Sequence, residues 1–399
     1  LFKKEEVRML HKIELPAYVD QLERILDFQQ RLLAFACDPT TTFPLDKAQI
    51  LASFGDEEGK WLIERLMTSK ERLWTFGEEL RDVILYAQAY RSEGPEIIKA
   101  FANDRQFYRK LDDVSFEFKY KKLDEATRKV LAPLMVSFYE KLLKAGFPSY
   151  IHGGQAKLLK RPQLLQEFRA ANPRLKVCPG CDGPSTRSVD DNAEEDELNE
   201  SSDEEEDEEN DLSDIDHFFP KSIYPFLAIH PINLVPLCTD CNTKVKKQKD
   251  PLSINDHGKD VLSRTFLPFV NPAAPNIEVC VSRNGNGKHI VSIHDKEQPN
   301  SQRVRNLDRV FKLRSYWSRR LQRMFELMDY QLTEAREHEK LTGLTVNDGV
   351  VKQKLREHLA DYDNKVGCIE YLLIHGSYAR FALNDPKELT CLVTLFLRK

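Results

Sequence analysis

This 399-residue chain has no glycine-rich nucleotide-binding loop in its N-terminal half and no internal repeat. It also lacks an uninterrupted apolar run able to cross a membrane. Ser222 to Thr239 has the length, 18 residues without Asp, Glu, Lys or Arg, but Pro225, Pro231 and Pro236 with Asn233 break it. The opening residues Leu-Phe-Lys-Lys-Glu-Glu do not form a secretory signal. Cysteine is scarce, with eight residues in all. Cys37, Cys280, Cys368 and Cys391 stand singly, which suits small apolar core residues better than ligands or nucleophiles. These absences argue against a P-loop enzyme, a membrane protein and a disulfide-framed secreted domain. Together with unpaired thiols they lead us to expect a cytoplasmic protein with no membrane partner. A hydrophobic fraction of 41% over this length supports two or three domains with cores of their own.

The other four cysteines fall in two pairs, Cys178-Pro179-Gly180-Cys181 and Cys238-Thr239-Asp240-Cys241. A two-residue gap lets neighbouring thiolates grip one tetrahedral Zn²⁺, and two such pairs complete a closed structural site. The 56 residues between the pairs exceed a simple zinc ribbon. Part of that length is an acidic tract, residues 190–211, with 15 Asp or Glu among 22 residues and no Lys or Arg. Like-charge repulsion and the shortage of apolar residues predict disorder there. The whole chain carries −5, so the remainder carries +10, a balance suited to a polyanionic partner. The tract reads as a solvated spacer, or as a nucleic-acid mimic covering a basic groove.

The rest of the insertion carries chemistry. Asp214-Ile215-Asp216-His217-Phe218 alternates like a half-buried strand, with Asp214 and Asp216 on one side, until Pro220 stops it. Asn233 precedes a short apolar stretch, Leu234-Val235-Pro236-Leu237, and Thr239 to Lys249 reads as a helix with Thr239 or Asp240 near its N-cap. The predicted order is strand, loop, strand, helix. Phosphodiester hydrolysis needs a base for water and a cation held by hard oxygen ligands. His217, mostly neutral at its ordinary pKa of about 6.5, suits the base. The Asp216 carboxylate and the Asn242 amide suit Mg²⁺ or Mn²⁺. Zn²⁺ would hold the fold while a second, exchangeable metal serves the reaction.

Asp216-His217, Asn233 and Asn242, with Pro220 and Ser222 after the histidine, resemble the DH…N…N version of the HNH, or ββα-metal, nuclease motif. The pattern is similar to the HNH domain of RNA-guided CRISPR nucleases and of many bacterial HNH enzymes. The resemblance covers about Leu175 to Lys249. It implies that His217 is the general base, that Asp216 and Asn242 bind the catalytic metal, and that Asn233 orients the histidine through the connecting loop. Asn242 stands where the family often has histidine. The implied products of DNA hydrolysis carry 5′-phosphate and 3′-hydroxyl ends. The general layout also resembles, more loosely, nucleases of bacterial anti-phage defence such as the Septu nuclease subunit. That likeness implies an ATPase or other defence-system partner. The alternatives are an HNH ribonuclease and a zinc-dependent nucleic-acid-binding or scaffold protein without catalysis.

The expected class is α+β. Residues 1–170 form a mainly helical N-terminal region, 171–250 the zinc-stapled ββα-metal module, and 251–399 a C-terminal region with a β-hairpin and long helices. In the first region Val19, Leu22, Leu26, Leu33 and Ala36 mark one helix face. A second helix starts near Asp124, aligns Leu131, Met135, Phe138 and Leu142, and stops before Gly146, with Pro133 kinking or breaking it. After the connector Phe266–Pro272, Asn276–Val281 and Lys288–Ile293 read as a hairpin through Asn284-Gly285-Asn286-Gly287. A long helix is expected from about Ser301 to Lys340, with Leu307, Phe311, Trp317, Leu321, Phe325 and Met328 as its apolar residues. Lys244, Lys246, Lys247 and Lys249, on or beyond the predicted helix, read as contacts to the phosphate backbone or as a solubilising helix end favoured by the macrodipole. Arg319 and Arg320 belong to an arginine cluster, with Arg303, Arg305, Arg309, Arg314 and Arg323, that offers a second phosphate surface or a solvated basic face. His230 reads as a substrate contact or a satisfied histidine, and His257, His289 and His294 as ordinary residues.

Overall fold

The computed structural model of the protein describes residues 10–11, 13–67, 74–155, 158–184, 215–252, 261–298, 301–321, 348–365 and 371–397. The N-terminal region is helical because apolar residues recur at helical spacing. Helix α1, Tyr18–Cys37, buries all five residues of the predicted face. Around it lie α2 (Lys47–Met67), α3 (Trp74–Ala89), α4 (Glu93–Asp104) and α5 (Glu125–Ser137). Asp124 caps α5, its carboxylate accepting from the Thr127 backbone N–H at 3.0 Å.

Pro133 sits inside α5 without ending it. The departure from α geometry comes afterwards, as a π turn over Phe138–Leu142 in which the Leu143 N–H reaches back to the Phe138 carbonyl. A last turn, Leu143–Ala145, ends at Gly146, whose φ of 100° permits the reversal into β1, Phe147–Pro148. Strand β1 pairs with β2, Leu158–Leu159. The π turn rotates Tyr139 toward the centre of the molecule, where its hydroxyl donates to the Ile215 carbonyl at 3.3 Å.

Strands β3, Ile215–His217, and β4, Leu234–Pro236, form an antiparallel pair with His217 opposite Leu234 and Asp216 opposite Val235. A short helix, Asp240–Lys246, follows. Further on, β5 (Ile277–Arg283) and β6 (His289–Asp295) make the predicted hairpin. Its turn is held by Asn284, whose side-chain oxygen accepts from the Asn286 and Lys288 N–H groups at 3.0 and 2.9 Å.

The expected continuous helix from Ser301 is divided. It runs over Gln302–Phe311, stops at Lys312 in the left-handed region (φ 54°), and restarts over 313–321. Asp308 explains the break, because its carboxylate accepts from the Arg314 N–H at 2.8 Å and so caps the second segment. Leu307, Phe311, Trp317 and Leu321 are buried as expected, while Phe325, Met328, Arg323 and Lys340 lie outside the described residues. The helices Asp348–Lys365, Leu372–Asn384 and Pro386–Leu397 complete the described chain, the second packing on β5.

Mixed helices and small antiparallel sheets make the class α+β. One apolar core runs from α1 through Phe219, Tyr224 and Phe226 of the β3–β4 loop to Trp317 and Tyr378. No helix among the described residues is long and apolar enough to cross a membrane. Of the single cysteines only Cys37 is buried; Cys280 is half-buried and Cys391 exposed, because each occupies a less covered position of its strand or helix, and Cys368 lies outside the described residues.

Candidate functional site

The two cysteine pairs converge. The sulfurs of Cys178, Cys181, Cys238 and Cys241 all lie within 4.8 Å of one another, and Cys181 and Cys238 are 3.9 Å apart. A tetrahedral ion with bonds of about 2.3 Å to sulfur needs edges of roughly 3.8 Å, so the cluster can hold a metal such as zinc. Backbone N–H groups of Gly180 and Cys238 point at the Cys178 sulfur at 3.4 and 3.3 Å. Contact with Cys178, then Cys181 and Cys241, holds the Cys238 thiol below its ordinary range. The same crowding, led by Cys178, pushes Cys181 and Cys241 up.

Beside this cluster the β3–β4 pair and the helix Asp240–Lys246 enclose a cleft of about 450 Å³ lined by Asp216, His217, Asn242 and Lys246. His217 is buried, and its Nε2 lies 2.8 Å from the Ala228 carbonyl. A carbonyl only accepts, so Nε2 carries the proton and Nδ1 keeps the lone pair. Burial, followed by Lys221, pushes the His217 pKa down to about 3, which keeps the ring neutral. The Tyr139 ring meets His217 edge-on at 4.4 Å between centroids and walls the imidazole.

Asn233 does not touch the His217 ring. Its side-chain oxygen accepts from the Phe219 N–H at 2.7 Å, and its amide donates to the carbonyls of Phe219 and Leu227 at 3.0 and 2.9 Å. One buried amide thereby closes the loop that presents the Ala228 carbonyl to His217. His230, at the end of the same loop, is fully buried. Its Nε2 donates to the Arg105 carbonyl at 3.0 Å and its Nδ1 accepts from Ile232, so it is a satisfied structural histidine.

Asp216 is buried, and burial raises its carboxyl above the usual range against the opposing pull of Lys246. The Lys246 ammonium lies 2.7 Å from Asp216 Oδ2 and donates to the His217 carbonyl at 2.6 Å. Lys246 was expected among the surface phosphate contacts. It is instead 0% exposed, because π-type turns carry it back under the strands. Thr239 takes the N-cap position as expected, though with helical backbone angles and no side-chain cap bond.

Of the remaining basic positions, Lys244 is exposed and paired with Asp240 at 2.7 Å, and Lys247 is exposed at the helix end. Arg319 is exposed, and Arg320 stacks over the Tyr316 and Tyr371 rings; neither lines the cleft. Three of the other arginines serve the fold: Arg303 pairs with Asp295, Arg309 donates to the Asp250 carbonyl, and Arg314 pairs with Asp308. His289 binds Glu388 at 2.8 Å and His294 meets Ser292 at 3.0 Å; His257 and Asp214 lie outside the described residues.

Sequence reasoning missed Tyr139 and Arg161, which line the cleft from the N-terminal half, and Lys221, which stands beside them. Arg161 lies 4.3 Å over the Tyr139 ring and donates to the Tyr139 and Glu140 carbonyls, with no carboxylate partner among the described residues. No local pattern announces these two.

The donor set fits a hard divalent cation, with a buried carboxylate and an amide on facing elements of one cleft. No family model matches the chain, and no curated protein or solved structure matches it either.

Proposed function

We propose that this protein is a metal-dependent endonuclease of the HNH type that hydrolyses phosphodiester bonds in DNA. The observation that carries the reading is the convergence, in one cleft beside a four-cysteine cluster, of a neutral histidine with a fixed tautomer and two hard oxygen ligands. His217 Nδ1 takes the proton of the attacking water while its Nε2–H stays on the Ala228 carbonyl. Asn233 keeps that carbonyl in place, and Tyr139 prevents the ring from tilting. Asp216 and Asn242 would hold Mg²⁺ or Mn²⁺, which supplies charge neutralisation at the phosphate and the departing oxygen. Arg161, Lys221 and Lys247 make the rim basic, as a phosphate backbone requires.

Zn²⁺ in the cysteine cluster has a structural role in this reading, since all four ligand positions are protein sulfurs. An ATPase partner and a place in anti-phage defence rest on the resemblance alone, and the site chemistry is the same without them. The test is digestion of duplex DNA and of total RNA in parallel. DNA fragments with 5′-phosphate ends, lost in His217→Ala, are expected. Cleavage of RNA alone would replace the substrate, and tight DNA binding without cleavage, unchanged in His217→Ala, would make the protein a binding module.

A further inference from the structure

We propose that Lys246 is a positioning residue that serves as the built-in counter-cation of the cleft, so that a divalent ion enters together with a phosphate and not before it. This rests on the nuclease reading and adds an order of binding to it. The Lys246 ammonium donates to the His217 carbonyl at 2.6 Å and to the Lys247 carbonyl at 3.4 Å, and stands 2.7 Å from Asp216 Oδ2 as an ion pair. Being fully buried among these groups, it cannot reach out to substrate. Withdrawing it would leave the Asp216 carboxylate buried without its counter-charge.

The charge of the cleft follows. Asp216 contributes −1 and Lys246 +1, while the Asn242 amide contributes nothing. Lys221 and Arg161 stand on the same side, and the one further carboxylate packed there among the described residues, Glu140, pairs with Lys221 at 2.7 Å. Sites that hold Mg²⁺ or Mn²⁺ through one or two carboxylates rely on substrate phosphate for the remaining charge and ligands. Here Asp216, the one carboxylate lining the cleft among the described residues, is already paired with Lys246, so a dication meets a positive cleft until a phosphate oxygen arrives to bind it.

The experiment measures Mn²⁺ binding to the zinc-loaded full chain by electron paramagnetic resonance. His217→Ala keeps DNA uncleaved, and the titrations are run with and without a duplex oligonucleotide. Mn²⁺ should bind His217→Ala roughly tenfold or more tightly with DNA than without it. Adding Lys246→Met should tighten binding in the absence of DNA by a similar factor and remove most of the dependence on DNA. A merely structural lysine would weaken or leave unchanged the affinity, never raise it. Equal affinity with and without DNA in His217→Ala overturns the order of binding while leaving the nuclease reading intact, and it decides the matter even if the double variant does not fold. No bound Mn²⁺ in any arm, DNA included, sinks both.

Discussion

Asn233 is the residue on which the geometry of the proposed active site depends without touching the His217 ring. Removing its amide leaves the Phe219 N–H and the Phe219 and Leu227 carbonyls without their buried partner. Unsatisfied buried groups of this kind cost about 1–3 kcal/mol each, with partial relaxation. Asn233→Ala should therefore lose about 3 kcal/mol in denaturant unfolding and lose cleavage as well. Parental stability with parental cleavage would show that the loop is held some other way. A second residue prediction concerns pH. Burial raises the Glu388 carboxyl, but bonds from His289, Arg283 and Tyr378 outweigh it and hold the pKa at about 2. The folded value lies below the unfolded one of about 4.3, so the unfolded chain binds more protons in that window. The stabilisation is complete above the unfolded value and is lost as pH falls toward 2. Glu388→Gln should consequently be less stable than the parent at pH 7, with the gap narrowing at pH 3; a gap independent of pH would show that the charge contributes nothing.

At the scale of elements, the path from α5 into β1 decides where Tyr139 sits. Gly146 has φ 100°, and a Cβ added there would lie 3.0 Å from the Leu158 Cβ. Gly146→Ala should cost about 1–3 kcal/mol by thermal melting, from strain at positive φ and the displaced strand; a melting curve unchanged from the parent would contradict it. Which elements were legible follows from what each depends on. Helix α1, the β5–β6 hairpin and the strand–loop–strand–helix order come from periodicity and turn residues that lie within each segment. The break at Lys312 and the π turns at Phe138–Leu142 and Asp240–Lys246 do not, since hydrogen-bond slippage and a cap from Asp308 leave the apolar pattern almost unchanged. That slippage is why Lys246 reads as a surface lysine in the sequence and lies buried under His217 in the fold. The residues of the proposed site could be picked from the sequence because the cysteines, Asp216, His217, Asn233 and Asn242 all fall between positions 178 and 242. Tyr139 and Arg161 reach the same cleft from a distant segment through packing.

At the scale of the whole molecule the cysteine cluster is a junction. Asp182, the residue after Cys181, receives His11 Nε2 at 2.7 Å and the Leu373 N–H at 3.0 Å. Its carbonyl takes the Tyr371 N–H at 2.6 Å, and Trp317 donates to the Cys181 carbonyl at 2.8 Å. Segments near both ends of the chain are thus tied to the four-cysteine cluster. Chelation of a zinc-loaded sample should lower the melting temperature and raise amide exchange near His11 and Leu373 as well as at the cysteines; exchange confined to the cysteine loops would show that the junction is not cooperative. The most direct test of the function is incubation of purified protein with supercoiled plasmid in Mg²⁺, Mn²⁺ or EDTA, beside His217→Ala and a variant lacking residues 190–211. Nicked or linear plasmid in either metal, absent in EDTA and in His217→Ala, is the predicted result. Intact plasmid with both the parent and the shortened variant under every condition would contradict autonomous DNA cleavage.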